Sequence, residues 1–150
     1  IAALFVPLAG CAIGSAASYP IMSKLPAMLL FVMATSPWNL ALRFLLELAA
    51  LAGFGVWGWL SFGWIAAIGA PGVAAALWGV FNVPGDPTRS GRAPVPVPGW
   101  LRLGLELVIL YGAVWALFDV GYGPLGKSLG LITALHYALS FDRLGWLLAR

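Results

Sequence analysis

Two arginine–glutamate pairs are the residues in this sequence whose types and spacing could do chemistry. Arg43 and Glu47 form the first pair, and Arg102 and Glu106 form the second pair 59 residues later. Side chains four residues apart lie on one face of a helix, so each pair can form an ion pair within its helix. Arginine before glutamate is the weaker order for an isolated helix, which makes crossed pairing between two helices an attractive alternative.

The residues around the two pairs are also alike. Leu42–Gly53 and Leu101–Gly112 share seven of twelve residues at an offset of 59. Leucine is common in apolar helices, so the shared arginine, glutamate and glycine carry the signal. The match predicts two repeats of two helices each, with both repeats running in the same direction across a membrane.

His136, the only histidine in the chain, is a further ionisable residue within an apolar stretch. We expect it to share a layer with the two charged pairs, giving an intramembrane polar cluster of Arg43, Glu47, Arg102, Glu106 and His136. One interpretation is a site that handles protons or a ligand, because ionisable groups inside a membrane are commonly functional. The other is structural, in which buried polar groups fix the register of the helices.

Catalytic and cofactor sites are not indicated. The sequence contains no Ser/His/Asp group at catalytic spacing, and one histidine with one cysteine makes a poor metal site. We therefore expect no enzyme activity, no catalytic residue, no metal and no cofactor.

The composition is that of a membrane protein. Of the 150 residues, 62% are hydrophobic and only 9% are charged, whereas soluble domains carry about a quarter charged residues. The net charge of +3 comes from scattered basic residues, so we expect the lipid bilayer, and not nucleic acid, as the partner.

Four apolar stretches are long enough to cross a bilayer, which takes about 20 residues. They are Leu40–Leu60, Phe62–Val83, Trp100–Phe118 and Tyr122–Phe141. Their polarity does not alternate as in barrel strands, so the expected fold is an all-α membrane protein with four transmembrane helices. A loop rich in proline and glycine, Asn82–Gly99, joins the two halves. Pro71 is expected to kink the second helix.

The distribution of lysine and arginine predicts the orientation. Five basic residues fall on the side of the loop and the termini, namely Lys24, Arg89, Arg92, Arg143 and Arg150, and only Lys127 falls on the other. Because basic residues mark cytoplasmic segments, both termini are expected in the cytoplasm.

Residues 1–32 form an apolar extension outside the four-helix domain of residues 33–150. The extension is interpreted as a fragment, a translated upstream region or an extra apolar helix, since Met33 precedes the first span like a natural start. Leu8 to Cys11 match a bacterial lipobox, which makes acylation of Cys11 an alternative to a chance match.

The segments SPWNLALRFLLELAAL (36–51), LAGFGVWGW, ALWGVFNVP (76–84) and LRLGLELVIL resemble the YrdB-like family of small bacterial membrane proteins. The resemblance covers the chain from Met33 onward. It implies four helices in the bacterial inner membrane, and it implies no activity.

Two functions remain open. The first is a small transporter or channel-like protein that uses the polar cluster and works as a homodimer, because four short helices enclose little volume. The second is a non-transporting accessory protein that binds a membrane partner or lipid. A transporter should open the cluster to a water-filled cavity, whereas an accessory protein should keep it dry and paired.

Overall fold

Five helices and one short pair of strands make up the part of the chain that the structure, a computed structural model, describes: residues 36–86 and 93–150. In chain order these elements are α1 (Pro37–Phe62), α2 (Trp64–Val80), β1 (Phe81–Asn82), β2 (Val95–Pro96), α3 (Gly99–Asp119), α4 (Gly123–Leu139) and α5 (Phe141–Leu148). The expected all-α class is therefore observed. The extension 1–32, with Cys11, and the expected start at Met33 lie outside the described residues.

The first four helices coincide with the four predicted apolar stretches to within three residues at each end. The start of α1 has a local cause. Ser36 is the N-cap, and its side chain accepts a hydrogen bond from the backbone N–H of Asn39 at 3.3 Å, while Pro37 occupies the first turn, where no amide hydrogen is needed. Pro71 lies inside α2, which continues through it as one helix.

Helix α5 is an element that the sequence does not predict. The fourth apolar stretch extends to Phe141, but α4 ends at Leu139 and a separate eight-residue helix begins after Ser140. Arg143 and Leu147, four residues apart on one face of α5, are both buried against the bundle. An element this short offers too few turns for periodicity to reveal it in the sequence.

The centre of the fold is the contact between α1 and α3. Helix α2 packs mainly on α1, and α4 packs mainly on α3. The alanines Ala50, Ala113 and Ala116 are completely buried, and small residues of this kind let neighbouring helices approach closely. Gly126 of α4 serves the same purpose, since a Cβ there would lie 3.0 Å from the ring of Phe118.

The loop between the two halves is more ordered at its ends than its composition suggests. Strands β1 and β2 pair in parallel, with Phe81 opposite Val95 and Asn82 opposite Pro96. Val83 and Asp86 are buried, so the described ends of the predicted loop 82–99 are folded against the helices.

Two helices, α1 and α3, are long and apolar enough to cross a membrane, judged by length and composition. Helix α2 is apolar but has only 17 residues. The outer surface of the described residues carries many exposed large apolar side chains, among them Phe44, Ile65, Val108 and Leu131.

Candidate functional site: a buried charged network

The ion pairs found among the described residues all lie at one end of the bundle, where α1 and α3 begin and α2 and α4 end. We call this group the charged network, and its members are Arg43, Glu47, Asp86, Arg102, Glu106, Tyr137 and Arg143. Three arginines face three carboxylates, so the formal charges of the network cancel. Cancellation matters because an uncompensated charge in a low-dielectric environment is costly.

Glu106 is the centre of the network, and none of its surface is exposed. Its Oε1 accepts hydrogen bonds from Arg43 Nη2 at 2.8 Å, Arg102 Nε at 2.9 Å and Arg143 Nη2 at 2.8 Å. Its Oε2 accepts from Arg143 Nη1 at 2.8 Å and from the Tyr137 hydroxyl at 2.9 Å. Helices α1, α3, α4 and α5 therefore all contribute a side chain to one carboxylate.

Arg143 ties the C-terminal helix to this centre. It donates two parallel hydrogen bonds to the carboxylate of Glu106, and the planar guanidinium is suited to this geometry. Its Nη2 also lies 3.2 Å from Asp86 Oδ2, so one arginine joins α5, α3 and the loop after α2. Burial lowers the pKa of Arg143, but the hydrogen bonds and charge of Glu106 outweigh burial and raise that pKa above its ordinary value, which keeps the guanidinium charged.

Arg102 links the network to the end of α2. Its Nη1 donates to the backbone carbonyls of Trp78 at 2.8 Å and Phe81 at 2.6 Å. Carbonyls at the end of a helix have no partner within that helix, so Arg102 caps α2 from the side. The guanidinium also lies 4.9 Å from the centroid of the Trp78 ring, and that of Arg43 lies 5.8 Å from it.

Glu47 differs from Glu106 in its surroundings. Its Oε1 accepts from Arg43 Nε at 3.2 Å, yet 27% of its side chain remains accessible. It lines a cleft of about 240 Å³ between α1 and α2. The two carboxylates of the sequence repeat thus occupy different environments, one enclosed and one at the wall of a cleft.

His136 lies beside the network. It is buried, and its ring packs edge-on against that of Tyr137 at 5.4 Å. Within the described residues, His136 Nδ1 and the hydroxyl of the fully buried Thr133 have no hydrogen-bond partner. The structure therefore brings Arg43, Glu47, Arg102 and Glu106 into contact, and it places His136 next to them through packing.

The pairing differs from the expected crossed pattern in one half. Arg43 bonds both to Glu47 of its own helix and to Glu106 of α3, which is the crossed pair. Arg102, expected to reach Glu47, bonds instead to Glu106 of its own helix and to the end of α2. Arg102 turns to α2 because the backbone carbonyls at the end of α2 accept its hydrogen bonds. The prediction considered only the helices α1 and α3 and therefore did not include these acceptors.

Asp86 and Arg143 are members of the network that sequence reasoning missed. In the sequence, Arg143 serves only as a basic residue that marks orientation, and Asp86 stands in a loop rich in proline and glycine. The only available signal is their charge, since both lie far in sequence from the residues they bind. No group of histidine, cysteine, aspartate and glutamate among residues 36–86 and 93–150 is arranged to hold a metal ion.

Comparison with known proteins gives a family but no activity. The family described as "Protein of unknown function (DUF2568)" matches residues 41–134. The uncharacterized protein YrdB of Bacillus subtilis (strain 168) is 40% identical over 114 residues, which cover 73% of this chain and 93% of that protein. No solved structure matches the chain. The matched region contains both arginine–glutamate pairs, and the chain therefore belongs to the DUF2568 family of proteins of unknown function, in keeping with its similarity to YrdB.

Proposed function

We propose that this chain is a protein of the bacterial inner membrane with four membrane-spanning helices and an accessory role. In this proposal the charged network holds the helices together without water, and the outer surface engages lipid or a membrane partner. The proposal assigns no catalytic role to the network. The observation that carries it is the complete burial of Glu106 among three arginines and a tyrosine. A polar group in a transport path must meet water or its substrate, whereas this carboxylate is enclosed by protein.

Membrane insertion is supported by the outer surface as well as by helix length. Exposed tryptophans stand at both ends of the bundle, Trp38 and Trp100 near the network and Trp59 and Trp64 at the far end. Trp38 and Trp59 are separated by about 31 Å at 1.5 Å per residue, close to the roughly 30 Å of a bilayer's hydrocarbon core. Tryptophan belts at this spacing are typical of membrane proteins.

The two-repeat architecture is supported by the helix bounds. Both ends of α4 are displaced from the ends of α2 by 59 residues, the same offset that separates Arg43 from Arg102. Apolar grooves of about 470 and 400 Å³ lie between α1 and α4 and between α2 and α3. At the offset of 59 residues α1 corresponds to α3 and α2 corresponds to α4, so the groove between α1 and α4 corresponds to the groove between α3 and α2. The proposed orientation, with both termini cytoplasmic, follows from the basic residues and gives the network a cytoplasmic location.

A small transporter or channel-like protein, expected as a homodimer, is the second candidate function. The observation in its favour is Glu47, whose partly accessible carboxylate lines a cleft next to the network. Movement of an ion from Glu47 to Glu106 would require the network to open, because Glu106 and Arg102 are fully buried.

Two experiments test the proposal. Reporters fused after Arg150 and inserted at Ser61 should label opposite faces of the membrane, and the same face would contradict the topology. Proteoliposomes loaded with a pH-sensitive dye should show no more flux under a pH gradient or a membrane potential than vesicles without protein. Flux that Glu106→Gln abolishes and Asp119→Asn preserves would replace the accessory role with transport.

A further inference from the structure

A carboxylate and a set of aromatic rings meet at the far end of the bundle, opposite the charged network. The ring nitrogen of Trp57 donates a hydrogen bond of 3.0 Å to Asp119 Oδ2, at the last residue of α3. The Trp57 ring lies 5.9 Å from that of Trp115 and 5.2 Å from that of Phe62. Because Trp115 is 59% exposed and Phe62 is 68% exposed, open ring surface lies beside the acid. We call these four residues the aromatic–acid cluster.

Asp119 stands at a helix end that favours a cation. The last carbonyls of a helix carry partial negative charge, and α3 has no basic residue in its last turn. Asp119 is exposed, and neither Asp119 nor Lys127 takes part in the ion pairs found among residues 36–86 and 93–150. A carboxylate can accept about four hydrogen bonds, so Asp119 can keep its bond from Trp57 and also receive a positively charged group.

An apolar groove leads away from this cluster along the outer surface. It lies between α2 and α3, has a volume of about 400 Å³, and is lined by Trp57 among others. Val108 also lines it, and its position in the sequence places it on the same face of α3 as Trp115 and Asp119. Along the helix, Val108 and Asp119 are about 16 Å apart, close to the roughly 15 Å that one leaflet contributes to the hydrocarbon core.

The corresponding groove of the other repeat has no such cluster. At the offset of 59 residues the equivalent of Trp115 is Val56, and the equivalent of Asp119 is Leu60. The groove between α1 and α4 is lined by apolar residues alone. Two similar grooves thus differ in the charged and aromatic groups at one end, where the headgroup of a lipid would lie.

The cluster and the groove together match a molecule with a cation at one end and an apolar chain at the other. An ammonium group can lie over an indole ring and donate hydrogen bonds to a carboxylate, while an attached acyl chain occupies the groove. We propose that the aromatic–acid cluster and the groove between α2 and α3 bind a phospholipid whose headgroup carries an ammonium group, with Asp119 as its counter-ion. This inference rests on the membrane location proposed above and names the lipid that the outer surface engages.

A competition between two lipids tests the counter-ion. The full chain in an uncharged detergent is mixed with equal amounts of phosphatidylethanolamine and phosphatidylglycerol that carry identical acyl chains, and native mass spectrometry gives their ratio in the protein with one bound lipid. Asp119→Asn should lower the ratio of phosphatidylethanolamine to phosphatidylglycerol at least about threefold. Asp142→Asn, the same change in α5 at the opposite end, should leave it unchanged. An unchanged ratio in Asp119→Asn would overturn the proposal.

Two exposed tryptophans of the same end test the role of the rings. Trp115→Leu should lower the ratio at least about twofold, because the ring surface for the ammonium group is lost. The matched control is Trp59→Leu, since Trp59 is 60% exposed and belongs to none of the ring contacts of the described residues. Equal losses in the two variants would indicate general anchoring by interfacial tryptophans and would also overturn the proposal.

Two glycines of α2 test the groove. A side chain added at Gly69 or at Gly72 would begin in open space, but only Gly69 lines the groove. Gly69→Leu should therefore lower the ratio as Asp119→Asn does, and Gly72→Leu should not. Thermal unfolding confirms that each variant is folded, and an unchanged ratio in a folded Gly69→Leu would contradict the proposal. Reporters that label the same face would overturn the membrane topology itself, whereas loss of the lipid preference alone would overturn only this site.

Discussion

Arg43 of α1 and Glu106 of α3 form an ion pair of 2.8 Å although they lie 63 residues apart in the chain. This contact joins the two halves of the molecule directly. It differs from the contacts of Arg43 with Glu47 and of Arg102 with Glu106, which each helix could form alone. The stability of the bundle should therefore depend on it in a way that the intrahelical pairs do not share.

A double-mutant cycle tests that dependence. Glu106→Gln strands the arginines around it and should lower the free energy of unfolding by about 3–5 kcal/mol. Arg43→Gln in the same chain should cost less than it does in the wild type, with a coupling of about 0.5–3 kcal/mol. Unfolding in mixed micelles with increasing denaturing detergent measures both terms. The control cycle pairs Arg43→Gln with Asp119→Asn, which lies at the other end of the bundle, and it should be additive; additivity in both cycles would contradict the network.

Arg143 should hold α5 against the bundle far more strongly than Arg150 does, although both are arginines near the C-terminal end. Arg143 is buried and bonds to Glu106 and Asp86, whereas Arg150 is exposed and its guanidinium lies over the ring of Trp146. We expect Arg143→Gln to release α5, which should speed amide hydrogen exchange over residues 141–148 measured by mass spectrometry. Arg150→Gln should not change the exchange.

A conservative variant refines this prediction. Arg143→Lys keeps the charge but loses the two parallel hydrogen bonds, because an ammonium group cannot form them. It should show faster exchange than the wild type and slower exchange than Arg143→Gln. Equal protection in Arg143→Lys and the wild type would show that charge alone holds α5.

Gly58 should be intolerant of a side chain because α1 and α2 meet there. A Cβ at Gly58 would collide with the backbone oxygen of Ala66, and only a shift of the backbone can relieve that overlap. Gly58→Ala should therefore lower the thermal unfolding temperature of the detergent-solubilised protein, with a cost of about 1–3 kcal/mol. The matched control is Gly55→Ala, where the nearest atom, Ala67 O, would be at 3.5 Å. A smaller loss in Gly58→Ala than in Gly55→Ala would be the contrary result.

Gly99 should be equally sensitive, for a reason at the other end of the molecule. Its backbone N–H donates to Arg150 O at 3.1 Å, and a Cβ there would collide with the backbone of Leu147. Gly99→Ala should displace α5 and, through Arg143, weaken the network. Gly145→Ala, within α5 but facing open space, should be neutral or stabilising by up to about 1 kcal/mol. Hydrogen exchange over residues 141–148 compares the two variants.

The sequence is sufficient to find four helices and two of the three arginines that meet at Glu106. Apolar stretches of about 20 residues and a repeated Arg-x-x-x-Glu pattern are local signals, so α1 to α4 and the pairs at Arg43 and Arg102 can be found without a structure. Arg143 cannot be found in this way. Its partners lie 37 and 57 residues away, and nothing local distinguishes a clasping arginine from one that marks the cytoplasmic side.

The cleft that Glu47 lines could not be predicted from the sequence either. Glu47 and Glu106 occupy equivalent positions in the repeat, and the pattern alone assigns them the same role. Their difference depends on the surroundings of each side chain, since α5 brings Arg143 to Glu106 while Glu47 lines a cleft together with Trp78 and Gly79. Such a difference depends on the packing of several elements and is not written in either repeat.

The unequal burial of Glu47 and Glu106 also bears on why two hairpins are joined in one chain. A dimer of identical hairpins would have to treat both carboxylates alike, so that any change which enclosed one would enclose the other. Fusion removes that constraint. One hairpin can then enclose its carboxylate completely while the other keeps its carboxylate partly accessible, so a polypeptide this small can hold two copies of one sequence pattern in two different environments.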